Sequence, residues 1–544
     1  MCVHQHVCIY NRSHRVTIAI TIFKHIPSIS REFERASIAR APSDMDRFIT
    51  QTEGRRDRKH IPSVSREFAG ASAARASPGM ERSIAKSEVR WDRFVETGKG
   101  EMVQDPLTTE TGGKMEHDLL MYSPRSAARA TATGIPIGDQ GVAVLRGPLI
   151  VGAGPAGLAC AAMLTMGLVP YVILERDMCI ASTWHRRTYD RLCLHLPKRY
   201  CQLPLMPFPH SYPTYPVRQQ FLAYLDEYKR KHGIRPFFNM EVVSAEYDGE
   251  YWCVRTKDTS DNVGGSMLSS CTMEYRSKWL IVATGENAEP VVPEIKGMRS
   301  FKGEVFHSSD YRNGEEFQGK NVLVIGCGNS GMEVSLDLAN YNVHTSMVVR
   351  DSGHVLPREI LGISTFTLSL WLQTFFNIKV VDQILLVLAW FILGDTRRIG
   401  IPRPNLGPME LKQLSGKTPV LDVGTIAKIK SGDIKVFPGI KSFQEDGVEF
   451  IDGRIESFDV VIFATGYKSN VPYWLKENEF FSRKDGFPCR PNEWKGKNGL
   501  YAAGFSRRGL LGVSMDATKI ANDIIQSYNN IIFHPMDIQR SQDD

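Results

Sequence analysis

Two glycine-rich loops, each entered from an apolar strand, together with two Ala-Thr-Gly strand ends, predict an α/β chain. It is built from two dinucleotide-binding (Rossmann-like) domains, the second inserted into the first. The first loop is Gly152-Ala153-Gly154-Pro155-Ala156-Gly157, entered from Leu149-Ile150-Val151. The second is Gly326-Cys327-Gly328-Asn329-Ser330-Gly331, entered from Val322-Leu323-Val324-Ile325. In such loops the glycines make the tight turn, let backbone approach a pyrophosphate and allow the helix to pack on the strand. The helix start adds N–H groups and positive dipole for the phosphates. Asn329 and Ser330 can serve there as phosphate partners, as helix caps, or as both. One such loop is weak evidence; two strand-flanked loops in one chain are strong.

The strand after each loop separates the two nucleotides. Tyr171-Val172-Ile173-Leu174 ends on Glu175, about 20 residues beyond the first loop, where a carboxylate accepts ribose hydroxyls and repels a 2′-phosphate. Met347-Val348-Val349 ends on Arg350, whose planar fork of donors suits a 2′-phosphate. The first site therefore suits FAD and the second NADPH. A solvated strand-end charge is the plainer reading of Arg350.

The strand ends give the order of domains. Trp279-Leu280-Ile281-Val282 runs into Ala283-Thr284-Gly285, and Val460-Val461-Ile462-Phe463 into Ala464-Thr465-Gly466. Small residues let the chain turn close to a bound dinucleotide, so Thr284, Gly285, Thr465 and Gly466 join the cofactor-binding candidates at the two crossings. The expected organisation is an extension over 1–140, a first FAD part over 145–295 and the NADPH domain over 296–455. The second FAD part spans 456–530, and a tail covers 531–544.

The extension is compositionally distinct. Residues 1–100 hold 18 Lys+Arg and 11 Asp+Glu, against 66 and 60 in the whole chain, so the remainder is near neutral and shows no nucleic-acid signature. Lys24–Arg58 and Lys59–Arg93 form a tandem repeat, each opening Lys-His-Ile-Pro-Ser-x-Ser-Arg-Glu-Phe. Two copies are too few for a solenoid, and a segment so poor in large aliphatics predicts disorder. Its acidic residues argue against a transit peptide.

The ten cysteines form no CxxC pair and no zinc-type spacing, which predicts no metal site and a reducing, cytoplasmic setting. Without a dithiol beside the flavin, a disulfide reductase is excluded. The apolar stretch from Thr365 to Leu393 is densest over Ile384–Leu393. Ten helical residues rise only about 15 Å, half a bilayer core. The stretch predicts a buried or substrate-lining helix pair. Trp371, Trp390 and Arg397-Arg398 leave peripheral contact with a membrane, such as the endoplasmic reticulum surface, as an alternative.

One segment sets the class. Phe301-Lys302-Gly303-Glu304-Val305-Phe306-His307-Ser308-Ser309-Asp310-Tyr311 matches the FxGxxxHxxxY fingerprint of flavin-containing monooxygenases; the related Baeyer–Villiger enzymes carry Trp in place of Tyr311. From about Pro148 to Ile524 the chain resembles the YUCCA branch, the plant indole-3-pyruvate monooxygenases. The resemblance is carried by Tyr189–Lys198, Ala283–Glu289, Gly326–Val334, His354–Glu359, Gly416–Asp422 and Arg507-Arg508-Gly509.

That resemblance implies an enzyme in which NADPH reduces FAD and O2 forms a C4a-(hydro)peroxyflavin. The product, from the small molecule indole-3-pyruvate, is the auxin indole-3-acetic acid. An N- or S-oxygenase of small nucleophiles would share both nucleotide sites. His195, Lys198 and Tyr311 are the catalytic candidates. His195 aligns with a flavin-side asparagine of animal members. Together with Lys198 and Arg191 it forms a basic block suited to a substrate carboxylate or peroxide anion, or equally to a FAD phosphate. Where flavoproteins often carry Gly-Asp, this chain has Gly504-Phe505, so a helix expected to start near Ser514-Met515-Asp516 is the candidate partner of the flavin ring.

Overall fold

The computed structural model describes residues 141–260, 272–477 and 479–533. The expected disordered extension and its repeat lie outside these residues. Four parallel strands form the first sheet, in the order Leu500–Ala502, Leu280–Val282, Leu149–Val151, Val172–Leu174. Leu149, Ile150, Leu280, Ile281 and Val282 are wholly buried, as in a parallel sheet covered on both faces. Helix Pro155–Met166 follows the first loop and packs along the final helix, Gly509–Phe533. A four-stranded sheet, in which Met240–Tyr247, Trp252–Asp258 and Thr272–Ser277 run antiparallel and Val142–Val144 pairs parallel to the last, shares a core with the first sheet through Met240, Trp252 and Val254.

The second sheet has five parallel strands, ordered Ile434–Phe437, His344–Val348, Asn321–Ile325, Val460–Phe463, Glu304–His307. Helix Asn329–Asn340 follows its glycine loop. Both sheets obey the same logic: a strand, a glycine turn, a helix and a second strand. The chain leaves the first sheet after Val282 and returns after Phe463. Because Val460–Phe463 pairs inside the second sheet, the return falls at Ala464–Gly466 rather than at residue 456. The two connections run side by side. Glu289–Pro290 pairs with Tyr467–Lys468, the Val291 N–H donates to the Gly466 carbonyl at 3.0 Å, and the Thr465 hydroxyl donates to the Val291 carbonyl.

The apolar stretch forms two helices, Thr365–Gln373 and Ile378–Leu393. Asn377 caps the second, accepting from the N–H groups of Lys379 and Val380 at 3.1 Å each. One side of that helix is core, through Val381, Ile384, Leu385, Ala389 and Leu393. Trp371, Phe375, Trp390, Phe391 and Ile392 face solvent. Burial is therefore one-sided, where the sequence suggested a buried or substrate-lining pair. Among the described residues no helix is long and apolar enough to cross a membrane.

Candidate functional site

A cleft of about 280 Å³ opens at the C-terminal ends of the first sheet, where ligands bind in open α/β folds. Its walls include Gly152, Gly154, Pro155, Ala156, Glu175, Thr284 and Gly285, seven of the residues expected from sequence. The glycines divide the work. Gly152 turns at φ +106°, and a Cβ there would lie 2.6 Å from the Ala283 carbonyl oxygen. At Gly157 a Cβ would fall 1.9 Å from the Gly152 oxygen, so this glycine lets helix and strand touch. Gly154 has no protein atom within 4 Å of that position. The space beside it is what a pyrophosphate needs.

Two further features suit a dinucleotide. Glu175 is buried at the cleft wall and accepts from the Ala153 N–H at 2.8 Å and the Asp177 N–H at 3.1 Å, which fixes its carboxylate beside the loop. Burial raises its pKa, opposed by those two N–H groups. The Thr284 hydroxyl and the Asn470 side-chain oxygen, both on cleft-lining residues, are buried without a partner in the protein, which is costly unless a ligand supplies one. The residues present fit FAD.

The three expected catalytic side chains do not line this cleft. Lys198 donates to the carbonyls of Pro209 (2.8 Å), His210 (3.1 Å) and Tyr212 (2.6 Å), so its three N–H bonds hold a loop together. Tyr311 is fully buried; its hydroxyl donates to Asp337 at 2.7 Å and its ring stacks on Phe317. Burial and the Asp337 carboxylate raise its pKa, so it stays a neutral donor. Lys198 and Tyr311, expected as catalytic, are thus both engaged by protein groups away from this cleft. His195, half-buried, pairs through Nε2 with Oε1 of buried Glu333 at 2.8 Å. Glu333 and Asp337 both sit on helix Asn329–Asn340, so His195 and the fingerprint tyrosine brace the helix of the second loop. The other fingerprint anchors are equally structural in placement: Phe301 packs edge-on to Phe443, and buried His307 meets Ser309 and the Gly466 carbonyl.

The second loop repeats the first. Gly326 turns at φ +121°; a Cβ on Gly331 would lie 2.0 Å from the Gly326 oxygen; Gly328 again faces open space. Asn329 is engaged, its Oδ1 accepting from the Leu421 N–H at 3.0 Å. Arg350, 78% exposed, holds Asp351 at 2.7 Å beside a second cleft lined by Val349, Phe437, Ile451 and Arg454. The Arg454 guanidinium lies 4.6 Å from the Phe437 ring centre. The loop and the strand-end arginine fit NADPH.

Sequence reasoning missed several cleft residues. Trp184, Met240, Glu241, Val242 and Trp474 arrive from elements with no motif, through tertiary packing alone. The final helix begins at Gly509, five residues before the expected start, and Gly509, Leu510 and Val513 line the cleft. Gly504, at φ +82°, donates its N–H to Asp516 at 3.1 Å, so the aspartate absent from position 505 is replaced by one reached through the helix. Burial pushes Asp516 up to about 6, with the Gly504 N–H opposing. Glu286, next to the first Ala-Thr-Gly, lines the cleft and accepts the Arg507 N–H at 3.2 Å. Burial pushes it up to about 7, with that N–H and the Arg507 charge opposing.

Two glycine-loop nucleotide sites on parallel sheets, joined by a double crossing, define a flavoprotein oxidoreductase that takes electrons from a nicotinamide nucleotide. The chain belongs to the flavin-binding monooxygenase-like family, whose model matches residues 149–485, and within it to the YUCCA branch. It is 63% identical over 438 residues to the indole-3-pyruvate monooxygenase YUCCA4 of Oryza sativa subsp. japonica, covering 80% of this chain and 98% of that one. It is 57% identical over 383 residues to the probable indole-3-pyruvate monooxygenase YUCCA9 of Arabidopsis thaliana, covering 70% and 89%. Among solved structures, a flavin-containing monooxygenase from Stenotrophomonas maltophilia matches with TM-score 0.52 at 20% identity, over 70% of this chain and 98% of that one. The NADP+-bound cyclohexanone monooxygenase from Rhodococcus sp. Phi1 matches with TM-score 0.55 at 17% identity, over 71% and 85%. These structures share the fold.

Proposed function

We propose that the chain is a FAD- and NADPH-dependent monooxygenase that converts indole-3-pyruvate to indole-3-acetic acid. The observation that carries this reading is a flavin-type cleft and a second nucleotide loop in a chain 63% identical to a rice indole-3-pyruvate monooxygenase along nearly its whole length. The balance is a 2-oxo acid, O2, NADPH and a proton giving the shortened acid, CO2, water and NADP+. Bound FAD, reduced by NADPH, supplies the oxygen-activating chemistry. The protein supplies placement. Gly154 and the start of helix Pro155–Met166 receive the FAD pyrophosphate, and Glu175 the ribose. Thr284 offers a buried hydroxyl. Gly328, Ser330 and Arg350 receive NADPH. The pair His195–Glu333 holds the second loop's helix against the first domain, and Tyr311–Asp337 holds it within its own.

The test is turnover of purified, FAD-loaded enzyme with NADPH, isotopically labelled O2 and indole-3-pyruvate. CO2 release is expected, with one labelled oxygen in the new carboxylate. Efficient oxygenation of a thioether or amine, with the 2-oxo acid only uncoupling NADPH oxidation, would sink the 2-oxo acid reading. The monooxygenase class would stand.

In the same reading the enzyme is cytoplasmic and touches membrane through its exposed aromatic face. Trp371, Phe375, Trp390 and Phe391 are each more than half exposed, and Arg397 and Arg398 follow, a composition suited to an anionic lipid surface. Co-sedimentation with vesicles containing anionic lipid is expected, and its loss in a Trp371→Ser, Trp390→Ser double variant. Wild-type protein left in the supernatant would overturn this assignment.

A further inference from the structure

The loop from Leu194 to Tyr215 is tied to the first domain from inside. Leu194, Cys201, Leu203 and Phe208 are buried in the same core as helix Pro155–Met166. The hydroxyl of buried Tyr224, on helix Arg218–Lys231, accepts from the Leu203 N–H at 2.8 Å and donates to the Met206 carbonyl at 2.6 Å. The Lys198 N–H donates to the Thr214 carbonyl at 2.7 Å, and its ammonium holds three more carbonyls, so the two limbs of the loop are joined. Finally, the Ser514 hydroxyl donates to the Gln202 carbonyl at 2.7 Å, and Ser514 directly follows Val513, which lines the flavin cleft. The loop is thus fixed to the wall of the first site.

Its other side meets the second domain on three separate elements. His195 reaches Glu333 on the helix of the second glycine loop at 2.8 Å. Arg199 donates to the Thr367 hydroxyl at 2.9 Å while its guanidinium lies 4.8 Å from the Tyr200 ring centre, and Tyr200 meets Phe366 edge-on at 5.0 Å. Phe366 and Thr367 open helix Thr365–Gln373. The Arg358 guanidinium lies 4.3 Å from the ring centre of Tyr215. Arg358 follows strand Val355–Pro357, which pairs with Val420–Asp422, and there the Leu421 N–H donates to Asn329 of the second loop at 3.0 Å. A continuous run of contacts therefore joins the wall of the flavin cleft to the second glycine loop. An edge-on aromatic pair or a cation over a ring adds little to stability. Spread over three elements, such contacts fix orientation instead.

We propose that Arg199, Tyr200, Tyr215 and Arg358 are positioning residues for the reductive step, a clasp that sets the nicotinamide of NADPH against the flavin. This rests on the placement of FAD and NADPH in the two loops given above. In that step NADPH gives up a hydride to become NADP+, and oxidised FAD accepts it to become FADH−. Hydride transfer needs the reacting atoms about 3–3.5 Å apart, and a misplacement of about 1 Å can cost a hundredfold. The test is reduction of bound FAD by saturating NADPH without O2, followed as loss of the yellow absorbance. NADP+ affinity by titration, flavin content and reduction by dithionite are measured beside it. Tyr200→Ala and Arg358→Met are each expected to slow the limiting reduction about tenfold, and together about a hundredfold. The other three measurements are expected to match wild type. Tyr200→Phe keeps the ring and is expected to restore the rate. An undiminished limiting rate in the double variant, or a rate lowered as far in Tyr200→Phe as in Tyr200→Ala, would overturn the assignment. Loss of flavin or of NADP+ affinity would equally overturn it, by making these residues structural or ligands of the nucleotide. A wild type whose flavin NADPH does not reduce would remove the cofactor reading and this assignment together.

Discussion

Gly154→Val is expected to give a folded protein without flavin. The backbone at Gly154 has φ −75° and ψ −176°, extended geometry that any residue adopts, and no protein atom lies within 4 Å of the added Cβ. The local cost is confined to a poorer helix cap, about 1 kcal/mol. The same methyl groups occupy the space beside the helix start where the pyrophosphate must lie. Overpacking against side chains costs about 1–3 kcal/mol because neighbours can shift; a pyrophosphate held by backbone has nowhere to go. Gly157→Val supplies the contrast. Its Cβ would sit 1.9 Å from the Gly152 carbonyl oxygen, backbone against backbone, so the fold itself should fail. The measurements are the yellow flavin absorbance and the thermal transition of each variant. A yellow Gly154→Val protein would place the flavin elsewhere.

The contrast between those two glycines also shows what the sequence could and could not reveal. Period, spacing and residue type sufficed for both loops, for Glu175 and Arg350 at the strand ends, and for the crossings at Thr284 and Thr465. Each of these depends on local backbone geometry, which a short motif encodes. The side walls of the cleft depend on long-range packing instead. Met240 and Val242 come from an antiparallel sheet, and Trp474 from a short helix some 190 residues past the crossing at Gly285. No spacing rule links such positions. The basic block failed for a related reason: charge is visible in a sequence but its partner is not, and the carbonyls that absorb Lys198 carry no signature at all. Glu286 was in plain view beside Ala-Thr-Gly. Only the burial that pushes it up to about 7 gives it chemical interest.

In the second loop, Gly328→Val should leave the protein yellow yet unable to use either nicotinamide nucleotide, because Gly328 too is extended, φ −72° and ψ −177°, and faces open space. Arg350→Ala should act differently. On the proposed placement the guanidinium meets only the group that distinguishes NADPH from NADH, so NADPH use should fall and NADH use should not. A charge-assisted contact is worth about 1.5–3 kcal/mol, tenfold to a hundredfold. Two features push the expectation to the lower end. Arg350 is 78% exposed, and its present partner Asp351 must give way to the phosphate. That exposed pair is itself worth about 0–1 kcal/mol, so the displacement costs little and the discrimination should survive it. Measured as kcat/KM, the expected outcome is a loss near tenfold for NADPH and little change for NADH. Equal losses for both nucleotides would take discrimination away from Arg350. It would pass to Arg454, which lines the neighbouring cleft and is held against Phe437.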